Sequence, residues 1–176
     1  MKIFRKTVVF GMLLCGSLPL AGAACAMDSR RDMVSDTVVI NAPASQVWDA
    51  IKTARAGDPR HRRIVSNQGP DYVIEETFTK IPALGNVNCR YAEHEIADKK
   101  LEYQMISSDK FVAFNGVWEL SPIDTGRQTA LKLSSFVDTG LHLPFADKIT
   151  KDNTLRSVDL RLSEVKDVLA RSAQTH

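Results

Sequence analysis

The sequence predicts an α+β domain in which a curved antiparallel sheet of about seven strands wraps around one long C-terminal helix, with one or two short helices after the first strand. Three observations carry that prediction. Leu155, Val158, Leu162, Val165 and Leu169 recur at alternating spacings of three and four within a stretch from Phe145 to about Arg171, which is one stripe of an amphipathic helix. Upstream, β-rich runs follow one another with short turn signals between them. Ahead of these, a β-branched run leads straight into Pro43 and a one-sided helical pattern.

Residues 1–26 are set apart from the domain, which occupies 27–176. Lys2, Arg5 and Lys6 form a basic lead, Thr7 to Leu20 an apolar run, and Ala21-Gly22-Ala23 or Ala24-Cys25-Ala26 a small-residue cleavage site. Together they read as a secretory signal peptide. The apolar run is short and broken by Gly and Pro, unlike a membrane span. The expected location is outside the inner membrane, in the periplasm. Cys25 offers an alternative, a lipoprotein cut before that cysteine and acylated on it, although Gly22-Ala23-Ala24 lacks the Leu such sites resemble.

Removing the leader takes three of the 23 basic residues and none of the 21 acidic ones, so the domain is near neutral. Its charge offers no support for a nucleic-acid partner. Of the three cysteines, Cys15 lies in the leader, Cys25 at its edge and Cys89 in the domain. That is no disulfide framework, and no Cys/His spacing resembles a metal site. Cys89 reads as a small buried hydrophobe. No cofactor motif is present.

The first strand is Val34 to Ile40, alternating and rich in β-branched residues. Pro43 suits a first helical position, and Val47, Trp48 and Ile51 share one face, so a short helix runs from Pro43 to about Ala54. Arg55 to Arg63 is a loop or a broken second helix. Its cluster Arg60-His61-Arg62-Arg63 could touch anionic headgroups in a transient membrane-surface contact, but a solvated turn is the preferred reading. Strands follow near Arg63 to Asn67, Tyr72 to Lys80, Val87 to Ile96, Lys100 to Ser107, Phe111 to Leu120 and Gln128 to Val137. The breaks at Gly69-Pro70-Asp71, Pro82 to Gly85, Asp98-Lys99, Ser108-Asp109 and Asp124-Thr125-Gly126 are short enough for antiparallel hairpins. Leu141 to Pro144 then leads into the closing helix. Phe145 and Ile149 fall about 140° from the apolar stripe, and Asp152-Asn153-Thr154 are poor interior helix formers. The helix is therefore two pieces, or one piece whose first turns face something else.

Strand parity selects inward side chains. Val112, Phe114, Gly116, Trp118 and Leu120 share a face, as do Leu131, Leu133 and Val137, and Leu101, Tyr103 and Met105. Gly116 inside a strand marks a bend or a close approach. These apolar faces fit either a filled core or the lining of a cavity.

The ordered elements resemble the START-related superfamily, which includes birch-pollen-allergen-like proteins, polyketide cyclases and coenzyme Q-binding proteins. Ile40 to Ile51 is similar to its entering strand and first helix, Asn115 to Gly140 to its penultimate hairpin, and Leu143 to Ile149 with the Leu/Val stripe to its closing helix. The resemblance implies a helix-grip fold with an interior cavity for an apolar molecule. The expected function is an exported binding or carrier protein that encloses a hydrophobic small molecule or lipid. Its expected contacts are Phe78, Tyr91, Tyr103, Met105, Phe114, Trp118, Leu133, Leu143, Phe145 and Ile149, with Leu141, Leu143 and Phe145 as a lid. The alternatives are a cyclase or dehydratase on polyketide-like substrates and an envelope interaction protein with a filled core. For catalysis the acid/base candidates are His94, if it points inward, and Glu76; parity on the His94 strand is ambiguous, and the preferred reading leaves both exposed on the convex side or as satisfied polar groups at a cavity edge.

Overall fold

The computed structural model describes residues 33–56 and 59–174. The secretory leader, its cleavage motifs and Cys25 lie outside the described residues. β1 (Val34–Ile40) leads into α1 (Ala44–Ala56). The Pro43 carbonyl accepts the amides of Gln46 and Val47, so the missing proline N–H falls at a helix start, where it costs nothing. Val47, Trp48, Ala50 and Ile51 form the buried face of α1. Among the described residues α1 is the one short α-helix before the meander.

Six strands follow: β2 (Arg62–Gln68), β3 (Asp71–Ile81), β4 (Gly85–Ile96), β5 (Lys100–Ser108), β6 (Ala113–Ile123) and β7 (Gln128–Asp138). With β1 they form a seven-stranded sheet in the order β1-β7-β6-β5-β4-β3-β2, every neighbouring pair antiparallel. Hairpins join β2 through β7, while the connection through α1 carries the chain from one edge of the sheet to the other. Three register shifts, at Ile64/Ser66, Phe78/Ile81 and Arg90/Tyr91, bend the strands. β5 and β6 pair from Lys100/Glu119 to Gln104/Asn115 and part beyond that point. The resulting concavity receives the second helix, α2 (Ala146–Ala173).

α2 is a single unbroken helix of 28 residues, which settles the choice between one piece and two. Its Thr154 hydroxyl donates to the Thr150 carbonyl at 2.8 Å, absorbing a polar side chain inside the helix. Val158, Leu162 and Val165 are each about 1 % exposed, as the apolar stripe requires, but Leu155 is 39 % exposed. Thr154 takes the buried position instead, and Val168 joins Leu169 at the far end. The stripe thus turns polar toward the start of the helix. Leu160 lies on the solvent side.

α1 is held down at its last turn. Arg55 Nη1 donates to Glu93 Oε2 and Glu95 Oε1, each at 2.6 Å, and its guanidinium lies 4.5 Å from the centre of the Tyr72 ring. A cation there also meets the negative end of the helix dipole.

Candidate functional site

Between the concave sheet and the first half of α2 lies a cavity of about 270 Å³, just below the usual range of about 300–1,000 Å³ for ligand sites. Phe78, Phe114, Leu133 and Val137 form its sheet wall, Phe111 adds to it just ahead of β6, and Ile149 and Val158 lie on the helix side. Phe114 is the centre of the wall, with ring centroids 4.9 Å from Tyr103, 5.2 Å from Phe78 and 5.3 Å from Tyr91. The mouth lies between the β3–β4 turn, at Ile81 to Ala83, and the segment Leu141 to Ala146. Leu143 and Ile149 stand 58 % and 51 % exposed at that rim.

The helix wall is more polar. Thr150, Asn153, Thr154, Ser157 and Arg161 line it at helical spacing, together with Tyr103 and Ser135 of the sheet and Thr139 just past β7. Tyr103 donates to Ser135 Oγ at 2.8 Å, and burial pushes its hydroxyl pKa up, so it stays protonated. Gly116 is Tyr103's register partner, and a Cβ there would collide with Tyr103 Oη and the Ser134 carbonyl. Absence of a side chain at 116 is what lets the tyrosine lie flat along the wall.

Beneath the cavity sits an ion network. Arg161 Nη2 donates to Glu76 Oε1 at 2.7 Å and Arg62 Nη2 to the same oxygen at 2.9 Å, while Tyr91 Oη donates to Glu76 Oε2 at 2.6 Å. Burial opposes the charged form of Glu76, but the two guanidiniums and the phenol override it and hold the carboxyl at about 2. Arg161 is pushed up despite its burial, chiefly by Glu76, and remains cationic. Tyr91 is also raised, by burial first and then by Glu76. Behind this group lies the Arg55, Glu93 and Glu95 cluster. Burial shifts Glu93 upward more than Arg55 draws it down.

Phe78, Tyr103, Phe114, Leu133, Leu143 and Ile149, expected as ligand contacts, come together on the cavity. Four others do not line it. Tyr91 is buried behind the wall, with its hydroxyl on Glu76. Trp118 is buried deeper, beside Arg55 and Leu101. Met105 packs at the edge of the core. Phe145 caps α2 in a left-handed conformation, φ 66°, and is 78 % exposed, so of the three residues expected as a lid only Leu141 and Leu143 line the cavity.

Neither acid/base candidate lines the cavity. His94 points away from the cavity, with half of its side chain in solvent and Nδ1 2.7 Å from Asp71 Oδ1. On β4 it is Val87, Cys89, Tyr91 and Glu93 that face inward. Glu76 points inward but does not reach the lining, because Arg62 and Arg161 hold it. Residues 59–61 form a turn, as the loop reading expects, while Arg62 and Arg63 open β2 and pair with Glu76 and, at 2.6 Å, with Glu75. Cys89 is buried and free, and burial, then Glu76 and Asp109, push its thiol up to about 12.

Sequence reasoning misses Arg161 and the polar stripe. Thr150, Thr154, Ser157 and Arg161 carry the signal, since they recur at helical spacing beside the apolar stripe. Phe111, expected within a strand, instead precedes one, yet it is buried against the cavity.

Solved structures share this architecture at low sequence identity. TTHA0849 from Thermus thermophilus superposes with a TM-score of 0.60 at 17 % identity, over 80 % of this chain and 99 % of its own. A START superfamily protein from Mycobacterium smegmatis gives 0.59 at 17 % identity, over 82 % and 99 %. The Zhui aromatase/cyclase from Streptomyces sp. R1128 gives 0.58 at 15 % identity, over 76 % and 93 %. These likenesses establish the helix-grip fold. No curated protein matches the chain in sequence. The model of the family described as polyketide cyclase / dehydrase and lipid transport matches residues 31–170, most of the sequence, and the chain belongs to that family.

Proposed function

We propose that this is an exported, periplasmic binding or carrier protein that encloses a hydrophobic small molecule or lipid between the sheet and α2. The cavity carries the reading: an apolar, aromatic-walled space opens to solvent beside two short segments, and its rim exposes Leu143 and Ile149. Burial of an apolar ligand there contributes about 25 cal/mol per Å² removed from water. Export is supported by the basic, apolar and small-residue pattern of residues 1–26.

Native mass spectrometry of the purified protein, followed by solvent extraction, tests the binding. A co-purifying lipid or other apolar molecule is expected. A ligand-free protein that also fails to take up a fluorescent fatty acid would leave an envelope interaction protein as the better account. Intact mass of the protein from a periplasmic fraction tests export, with loss of the leader before Ala24, Cys25 or Met27 as the expected result.

Catalysis of the cyclase or dehydrase kind is the second reading, drawn from the family's description. Its chemistry would fall to the titratable groups on the lining, Tyr103 and Arg161. Tyr103 is held protonated and can donate a hydrogen bond but not serve as a base, which favours binding over turnover.

A further inference from the structure

We propose that the cavity takes an amphiphile with a single carboxylate, seated head-inward against Arg161 with its apolar body directed toward the mouth. This inference rests on the binding reading above and names its ligand class.

Among the described residues, Arg161 is the one charged side chain on the lining. Its carboxylate partner, Glu76, lies behind the wall and is shared: Oε1 accepts from both Arg161 and Arg62, and Oε2 accepts from Tyr91. Two guanidiniums therefore face one carboxylate. The Arg55, Glu93 and Glu95 cluster balances this surplus from the far side without reaching the cavity. The bond to Glu76 uses Nη2, and a guanidinium carries five donors in a rigid fork suited to a carboxylate.

The neighbours complete a head-group site. Ser135 Oγ accepts the Tyr103 proton, which leaves its own proton to donate, and Ser157 lines the cavity one turn before Arg161. The Phe78 ring centre lies 5.8 Å from the Arg161 guanidinium carbon and keeps that side apolar. Along α2, Arg161 lies about 18 Å from Ile149 at the rim, from the helical rise per residue. A ligand spanning that distance leaves its head deep and its tail near Leu143.

Isothermal titration calorimetry of the purified, delipidated protein at pH 7.5 with matched pairs tests this. The pairs are dodecanoic acid against dodecan-1-ol and 2-naphthoic acid against 2-naphthalenemethanol. At least one acid is expected to bind about tenfold or more tighter than its alcohol, because hydrogen bonds to charged groups are the stronger ones. Arg161→Gln is expected to abolish that preference, and Arg161→Lys, which keeps the charge and loses the fork, to retain part of it. Equal affinity within both pairs overturns the carboxylate inference and leaves the carrier reading standing. Binding of none of the four overturns both. A preference that persists in folded Arg161→Gln protein removes Arg161 from the role. The comparison on unmodified protein decides the ligand class even if the substituted chains fail to fold.

Discussion

Gly116 shows how much one residue can govern. Its missing side chain makes room for Tyr103, which in turn forms the polar part of the cavity wall through Ser135. Gly116→Ala is expected to cost about 1–3 kcal/mol, the usual range for overpacking, measured by denaturant unfolding. A strand glycine is a legible signal of close approach, and here it marks the right residue. Glu76 is legible as an acid worth singling out, but neither its inward facing nor its partners are. Its carboxyl is held at about 2 against an ordinary 4.5, so its stabilisation is fully present above pH 4.5 and is lost as pH falls toward 2. Glu76→Gln is expected to lower stability by about 3 kcal/mol at neutral pH, because it strands two largely buried guanidiniums, and to flatten the acid limb over that window. Denaturant midpoints from pH 7 to pH 2 check both. Cys89, with its thiol at about 12 and its side chain buried, is expected to resist iodoacetamide at pH 8 until the protein is unfolded. That parity leaves the facing of His94 open has a physical origin in Glu93. A charged residue pointing inward breaks the apolar alternation that parity depends on, and Arg55, 38 positions away, is what makes Glu93 tolerable there.

At the scale of elements, α2 does two jobs along its length. Its later turns bury Val158, Leu162 and Val165 against the core, and its earlier turns present Thr150, Asn153 and Thr154 to the cavity. Leu162→Ala is therefore expected to cost about 2–5 kcal/mol, as buried Leu truncations do, with ligand uptake retained in the folded fraction. Ile149→Ala removes a half-exposed rim side chain, so it is expected to change stability by about 0.5 kcal/mol or less while weakening uptake of a fluorescent fatty acid. Thermal melts and titrations on both variants separate the roles, and two variants that lose only stability would make α2 plain core. The helix and its apolar stripe are readable from spacing alone. The exchange of Leu155 for Thr154 on the buried face is not, because hydropathy cannot register that the first turns face a lined space rather than packed side chains.

Across the whole molecule, the strand order is legible because each hairpin is marked locally, by Gly69-Pro70 or Asp98-Lys99 for example. The ion network is not, since it joins β2, β3, β4 and α2 through contacts such as Arg161 to Glu76, separated by 85 positions. The sheet's outer edge also bears on biosynthesis. Among the described residues β1 pairs only with β7, from Val34 opposite Ser135 to Ile40 opposite Thr129. The first strand of the sheet thus waits for the seventh, and the edge cannot be completed until β7, about 100 residues further along, has been made. Such long sequence separation slows folding. Under the export proposed above, late closure would keep the nascent polypeptide threadable, and the register of one edge strand would double as a timer.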